Sequence, residues 1–222
     1  MDPVFRLLPI DFPTSVECSI PTTWSDDGKQ AKYPDGYPSA SIINLDYPRK
    51  DGKGNIKLTW MDGGLLPMTP DELLDGEPFG GPDGGALFIG SKSKMLVNCY
   101  GENPRLLPSS LMKQEMPKQV LPRVPEGHYI QWVNACIAGY GKATTSSPFD
   151  YAGPFTESVL IGNLAIRSWS LEVPNAKSRR DRFPGRKKLL WDAKQMRITN
   201  FDDANQFVKA ERRSGWGLDG FK

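Results

Sequence analysis

Two side chains in the first third of the chain have the chemistry of a sugar-binding pair. Trp60 and Asp62 are separated by one residue and are followed by Gly63 and Gly64. An aromatic ring packs against the C–H groups of a sugar, and a carboxylate accepts hydrogen bonds from its hydroxyls. The spacing therefore indicates a substrate-binding pair at the end of a strand. The structural alternative is a core tryptophan followed by an Asp-Gly turn.

Arg105 and His128 are the other candidate substrate-binding residues. Arg105 lies in the irregular segment 103–108, where the donors of a guanidinium could hold a hydroxylated or carboxylated substrate. His128 is the only histidine, and it falls in the first turn of a predicted helix, where a neutral imidazole could contact a substrate. The alternatives are a surface ion pair for Arg105 and a surface or capping position for His128.

The sequence lacks the residue patterns that mark other kinds of catalytic and cofactor-binding site. The three cysteines, Cys18, Cys99 and Cys136, are far apart and, with a single histidine, give no zinc-ligand spacing. No GxSxG nucleophile elbow occurs. The glycine clusters match neither GxGxxG nor GxxxxGK[ST]. The sequence therefore predicts no catalytic, metal or cofactor-binding residue in this chain.

Length, composition and charge narrow the class of protein. The 222 residues are 38% hydrophobic and carry a net charge of +2, which suits a single folded domain over 1–222 and gives no argument for nucleic acid. No apolar run is long enough to cross a bilayer, so no membrane partner is expected. The segment 177–188 has seven basic residues and one acidic residue, and a solvated loop is favoured there over a nucleic-acid patch.

Hydrophobic alternation predicts strands in the first part of the chain and helices in the later part. Strands are expected at 15–20, 40–47, 55–60, 86–89, 94–99, 189–191 and 197–199, with a hairpin turn at Asp51-Gly52. Long loops are expected at 61–85 and 101–125. Hairpins followed by helices indicate an α+β fold.

Helical spacing and proline positions predict four helical segments. A short one lies within 1–11 with Asp2 as its cap, and another begins near Asp202. A helix at 126–140 carries a core-type stripe made of Tyr129, Trp132, Val133, Cys136, Ile137 and Tyr140. A helix opened by Pro154 runs to about 171, and its candidate inward residues are Val159, Leu160, Leu164 and Trp169.

Eight segments, in order and covering nearly the whole chain, together resemble the C-terminal domain of the glucose–fructose oxidoreductase / inositol dehydrogenase / MocA (Gfo/Idh/MocA) family. Each segment alone is weakly specific, and the ordered set is strongly so. They are MDPVF (1–5), PTSVE (13–17), LTWMDGG (58–64), LFIGSKSKM (87–95), NPRLLP (103–108), QWVNACIAG (131–139), FDYAGPFTESVLIGNLAIRS (149–168) and LLWDAKQMRITNFDDANQFV (189–208).

The resemblance implies an open-faced, mostly antiparallel sheet with helices on one side. In this family the other sheet face packs against a neighbouring subunit, so a homo-oligomer is expected. Complete members bind NAD or NADP on an N-terminal Rossmann domain that also carries the catalytic lysine and, just before the segment like 1–5, a catalytic histidine. No position of this chain matches those residues. The implied role is the substrate-binding and oligomerisation portion of a sugar oxidoreductase, inactive in isolation.

Other functions stay open at the level of sequence. The same sheet could serve as a stand-alone carbohydrate-binding or protein-interaction module. The resemblance implies a bacterial protein of the cytoplasm or periplasm, without deciding between the two compartments. Neither the sugar nor the choice between NAD and NADP follows from these residues.

Overall fold

The computed structural model describes residues 1–22, 24, 36–113, 117–209 and 212–217, without the side chains of Arg179 and Arg180. Its helices are α1 Asp2–Leu7, α2 His128–Ala138, α3 Phe149–Trp169 and α4 Arg179–Arg182, with 3-10 helices at Ser109–Lys113 and Asp202–Phe207. Its strands are β1 Ser15–Ser19, β2 Ile42–Pro48, β3 Asn55–Met61, β4 Gly85–Ile89, β5 Lys94–Asn98, β6 Arg105–Leu107, β7 Leu189–Asp192 and β8 Arg197–Ile198.

These elements form two compact units, each with its own antiparallel sheet. The three-strand unit comprises Met1–Leu8 and Pro67–Phe155, and the five-strand unit comprises Pro9–Leu66 and Thr156–Lys222. The expected α+β class with antiparallel pairing is therefore confirmed. A single domain over 1–222 stays a prediction.

The sheet of the five-strand unit has the order β3-β2-β1-β7-β8, and each neighbouring pair is antiparallel. The predicted hairpin joins β2 and β3, with Ile43 opposite Trp60 and Tyr47 opposite Ile56. Its turn contains Gly52 at a φ of 69°, a backbone conformation that glycine adopts at little cost. The strands predicted in this unit are confirmed, with their ends shifted by a residue or two.

One face of this sheet packs against α3. Ile43, Leu45 and Tyr47 alternate along β2 and are buried, as are Val16 and Cys18 on the neighbouring β1. Burial raises the pKa of the Cys18 thiol to about 12, so this cysteine stays protonated and behaves as a small apolar side chain. The core of the five-strand unit therefore lies between α3 and the sheet.

The prediction for α3 is wrong at its start and in part of its inward face. The helix begins at Phe149, where the carbonyl of Pro148 accepts hydrogen bonds from the N–H groups of Tyr151 and Ala152, and Pro154 lies inside it. Among the four predicted inward residues, Leu164 is buried, Trp169 is half-buried, and Val159 and Leu160 are exposed. Gly162 lets the helix backbone approach Ile43 on β2 closely. The buried residues of α3 are Ser158, Ile161, Gly162, Leu164, Ala165, Ile166 and Ser168.

The opposite face of the five-stranded sheet is mostly polar. The hydroxyl of Thr59 donates to Oδ1 of Asn44 at 2.8 Å on neighbouring strands. The hydroxyl of Ser15 and the ammonium of Lys188 each lie 2.9 Å from Oδ2 of Asp46. The hydrogen bond from Lys188, with a second from Ser15, lowers the pKa of Asp46 below its usual value. This face therefore offers hydrogen-bonding and charged groups rather than a large apolar surface.

The three-strand unit has the sheet order β4-β5-β6. Strands β4 and β5 were predicted, whereas β6 and the 3-10 helix Ser109–Lys113 fall in the segment 101–125 that was predicted as irregular. Residues 114–116 of that segment lie outside the described residues, as do residues 23 and 25–35 of the first part of the chain. The predicted loop at 61–85 is confirmed as turns and irregular backbone up to the start of β4.

Helix α2 is confirmed as a helix, but its expected burial is wrong. In the described part of the chain none of its residues is buried, and Tyr129, Trp132 and Ile137 are largely exposed. The periodic stripe correctly indicated a helix with one apolar side. Spacing alone does not say whether another element of the same chain covers that side.

The close contact between α3 and β2 predicts a specific sensitivity to side-chain volume. A Cβ at Gly162 would lie 2.8 Å from Cδ1 of Ile43, whereas one at Gly153 of the same helix would meet the ring of Phe149 at 3.5 Å. We expect Gly162→Val to destabilise the protein by about 1–3 kcal/mol more than Gly153→Val, because overpacking adds to a shared helix-propensity cost. Urea unfolding monitored by circular dichroism measures the difference. Equal midpoints for the two variants would contradict this packing.

Glu157 on α3 predicts a dependence of stability on pH. The indole of Trp191 donates to its Oε1 at 2.7 Å, yet burial outweighs this bond and raises the pKa of Glu157. A carboxyl whose pKa is raised by folding stabilises the protein at low pH and loses that contribution as pH rises through the folded value. Glu157→Gln keeps an acceptor for Trp191, so we expect its urea midpoint to improve relative to wild type as pH rises from about 4 to 7.

Asp46→Asn is the control of opposite sign in the same unit. The pKa of Asp46 is lowered, so its stabilising contribution is present above the unfolded pKa and is lost as pH falls through the folded value. This variant should therefore become worse relative to wild type as pH rises from about 2 to 4, and should change little from there to about pH 7. Parallel pH profiles for Glu157→Gln and Asp46→Asn would refute both assignments.

Candidate functional site

Trp60 and Asp62 are brought into direct contact at the end of β3. The indole Nε1 of Trp60 donates to Oδ2 of Asp62 at 3.0 Å. The same carboxylate accepts from the backbone N–H of Ser41 at 2.5 Å and from the Ser41 hydroxyl at 2.8 Å. Ser41, just before β2, is buried. The carboxylate therefore ties the end of one strand to the start of its neighbour.

The local backbone explains why this site ends in Asp-Gly. The N–H of Asp62 donates to the carbonyl of Ser41 at 3.1 Å, and Gly63 then turns away with a φ of 65°. A Cβ on Gly63 would lie 2.2 Å from the carbonyl oxygen of Ser39, so only glycine fits. The Asp-Gly turn of the alternative is thus present in the structure, but Trp60 is 41% exposed and is not the core tryptophan of that alternative.

The two side chains of this pair differ in what they still offer a ligand. Three donors already occupy the Asp62 carboxylate, so a sugar hydroxyl would have to share or displace them. Trp60 retains 41% of its accessible surface, and its hydrogen bond restricts the orientation of the ring. The chemically available feature is the aromatic face of Trp60, with Asp62 as the residue that positions it.

Arg105 opens β6 in the three-strand unit and is already engaged. Its guanidinium donates to the carbonyl of Pro78 and lies 3.9 Å from Oε1 of Glu77. The hydroxyl of Ser109 donates to that same oxygen at 2.5 Å, and this bond lowers the pKa of Glu77. This group fastens the loop before β4 to β6. The ion pair predicted as the alternative for Arg105 is present, although the side chain is only partly exposed.

His128 is the first residue of α2 and is exposed. Its ring lies against that of Tyr129, with centroids 4.1 Å apart. Gly127 precedes it at a φ of 81° and no side chain caps this helix end. The surface position that was the alternative for His128 is therefore the observed one.

The four predicted site residues are divided between the two units. Trp60 and Asp62 contact each other in the five-strand unit. Arg105 and His128 belong to the three-strand unit, and each has its own neighbours. The pair Trp60–Asp62 is thus the part of the predicted site that the structure brings together.

A cluster around Tyr151 was missed by the sequence reasoning. Its hydroxyl donates to Oδ1 of Asp2, and the guanidinium of Arg6 lies 3.7 Å from its ring centroid. Burial and the adjacent Asp2 raise the pKa of Tyr151, so its hydroxyl stays protonated and does not act as a base.

The prediction that Asp2 caps α1 is wrong, because Met1 is the cap residue and Asp2 lies inside the helix.

The basic segment 177–188 contains a turn of helix, α4, and is not a loop throughout. Ser178 caps it by accepting from the N–H of Asp181 at 3.1 Å. The ring of Phe183 lies near two guanidinium groups, at 3.9 Å from Arg186 and 5.4 Å from Arg182. Arg182 also pairs with Glu172 at 2.6 Å. Part of this positive charge is therefore held by aromatic and acidic neighbours.

The described ranges contain neither a group of metal ligands nor a membrane-spanning helix. No group of three or more His, Cys, Asp or Glu residues there could hold a metal ion. Among the same residues, no helix has both the length and the apolarity needed to cross a bilayer.

Comparison of the chain with protein-family models and with curated proteins gave no match in either case.

The contacts of Asp62 predict a structural penalty for its removal. Asp62→Ala would leave the buried N–H and hydroxyl of Ser41 without their acceptor, at a cost of about 1–3 kcal/mol. Asp62→Asn keeps one oxygen but turns an amide donor toward another donor, so it should fall between wild type and Asp62→Ala. Urea unfolding measures both variants. Asp83→Ala, at an exposed position, is the control and should be neutral; an equally neutral Asp62→Ala would show that the carboxylate does not hold the strands together.

Proposed function

We propose that this chain is the substrate-binding and oligomerisation portion of an NAD(P)-dependent sugar oxidoreductase of the Gfo/Idh/MocA type. The observation that carries the proposal is the set of eight family-like segments in family order along residues 1–208. In such an enzyme the nicotinamide transfers the hydride, while this portion positions the sugar. By itself the chain is expected to be inactive.

The architecture of the five-strand unit supports this proposal. Its antiparallel sheet is covered on one face by α3 and leaves the opposite face as a polar surface. We propose that this is the open-faced sheet of the family domain. Self-association through that face would then rest on hydrogen bonds and ion pairs, with residues such as Thr59 and Asp46 in the contact.

The chemistry of Trp60 supports a sugar as the ligand. Its ring is partly exposed, and the bond to Asp62 restricts its rotation before any ligand arrives. A ring held in place loses little conformational entropy when it packs against the C–H face of a pyranose. Arg105 and His128 remain proposed substrate contacts, because each carries donors near the surface of its own unit.

A stand-alone carbohydrate-binding module is the second candidate function. The observation that favours it is that Trp60, Asp62 and Ser41 form a complete group within one unit. Such a module would bind sugar firmly without any nucleotide-binding partner, whereas half of an active site should bind a monosaccharide only weakly.

Ligand titrations on the purified chain test the proposed function. We expect weak, roughly millimolar binding of a monosaccharide from a panel of aldoses and inositols, detected by saturation-transfer NMR, because a single aromatic face is available to contact the sugar. A dissociation constant of this size corresponds to about 4 kcal/mol. Trp60→Ala should abolish this signal. Trp216→Ala, which removes another exposed indole, is the matched control and should leave it unchanged.

NAD and NADP are titrated in the same way and should not bind at micromolar concentration. Micromolar binding of either nucleotide would contradict the proposed division of labour. Micromolar binding of an oligosaccharide that depends on Trp60 would favour the stand-alone module. Sugar binding that survives Trp60→Ala would remove this residue from the site.

A further inference from the structure

Helix α2 presents an apolar side that the other described residues of its own three-strand unit leave uncovered. Tyr129 is 77% exposed, Trp132 is 63% exposed and Ile137 is 79% exposed. Val133 and Cys136 lie between them on the same side, at helical spacing, and are also exposed. We call this set, Tyr129, Trp132, Val133, Cys136 and Ile137, the α2 face.

The composition of the whole helix is that of an interface rather than of a solvated helix. Its eleven residues, HYIQWVNACIA, include no aspartate, glutamate, lysine or arginine. A helix exposed to water normally carries charged residues on its outer side. The cores of protein interfaces are depleted of charge and enriched in tyrosine and tryptophan.

The exposed area is large enough to matter energetically. The rings of Tyr129 and Trp132, with that of Tyr140 just beyond the helix, expose on the order of 500 Å². Exposed apolar patches above a few hundred Å² mark interaction sites. Ile130, Val133 and Ile137 extend this surface toward the roughly 800 Å² that each partner contributes to a standard interface.

We propose that the α2 face is a self-association surface, on which α2 of a second copy of the chain packs around a two-fold axis. In a two-fold contact the same patch lies on both subunits, so the patch must be complementary to a second copy of itself. The charge-free α2 does so, because no like charges meet across the axis. With Ile130 and Tyr140 added to the α2 face, two copies together expose about 1,600 Å², which is the size of a standard interface.

A second copy is a better occupant than a charged partner. An acidic or basic peptide would find no counter-charge on α2, and burying its unpaired charge would be costly. The polar face of the five-stranded sheet would associate through hydrogen bonds and ion pairs, so a contact there is distinct from the apolar contact proposed for α2. Self-association through α2 does not depend on the proposed sugar-binding function.

Sedimentation equilibrium of the full chain at up to about 100 µM tests the proposal, and we expect a monomer–dimer equilibrium. Trp132→Asp should raise the dissociation constant at least roughly thirtyfold, because a buried tryptophan is a typical hot spot. Ile137→Lys, one turn further along, is the second variant. Both positions are exposed, so circular dichroism and the urea midpoint should match wild type.

Two control variants separate the α2 face from other surfaces. Leu66→Asp charges an exposed apolar residue elsewhere and should dimerise like wild type. Thr59→Arg charges the polar sheet face, which the proposed function places in a contact of its own, and it shows whether the measured dimer uses that face instead. A chain that stays monomeric over the whole concentration range overturns the proposal. So does a dimer that Thr59→Arg disrupts while Trp132→Asp leaves it intact.

The native cysteines give an independent readout without substitution. Cys136 lies on the α2 face, whereas Cys99 is exposed outside it and Cys18 is buried. Alkylation by iodoacetamide, followed by mass spectrometry, should slow at Cys136 as protein concentration rises, and the rate at Cys99 should stay constant. Alkylation of Cys136 at a rate independent of concentration, in samples that sedimentation shows to be dimeric, would place the contact elsewhere.

Discussion

The close approach of α3 to β2 is the contact on which the five-strand unit depends. Gly162 lets the helix backbone come within van der Waals distance of Ile43. On the sheet, the buried residues of β2 that alternate toward this helix are Ile43, Leu45 and Tyr47. Because hydrophobic burial scales with the apolar area removed from water, this layer orders the strands that carry Trp60 and Asp62.

In the candidate site, some side chains hold the backbone in place, whereas one aromatic ring can still contact a ligand. Carboxylates and guanidiniums are common ligand-binding groups. In this structure, however, Asp62 and Arg105 each already bind a neighbouring segment of backbone. An exposed aromatic ring keeps its face free even when its N–H is used, because stacking and hydrogen bonding involve different parts of the ring. Trp60 is therefore the residue of the pair that can still meet a sugar, and Asp62 restricts its orientation.

The two proposed self-association surfaces differ in their physical properties. The α2 face is apolar and free of charge, so its partner is selected by shape and area. The sheet face carries Asp46, Lys188, Thr59 and Asn44 in hydrogen-bonded pairs, so a partner there would have to match polar groups. A protein with both kinds of surface can form more than one contact with copies of itself, each with its own dependence on salt and pH.

The sequence by itself determined the kinds of element and many of their positions. Alternation at β2 and β3, with the Asp51-Gly52 turn between them, and helical spacing over α2 were sufficient because they depend only on neighbours along the chain. Tertiary structure decided the rest. The short β6 forms because β5 offers it an edge, and Pro154 is accepted inside α3. The donor to Asp62 and the acceptor for Arg105 lie 21 and 27 residues away along the chain. The burial of α3 and the exposure of α2 were likewise decided in three dimensions, because periodicity shows that a helix has an apolar side but not what covers it.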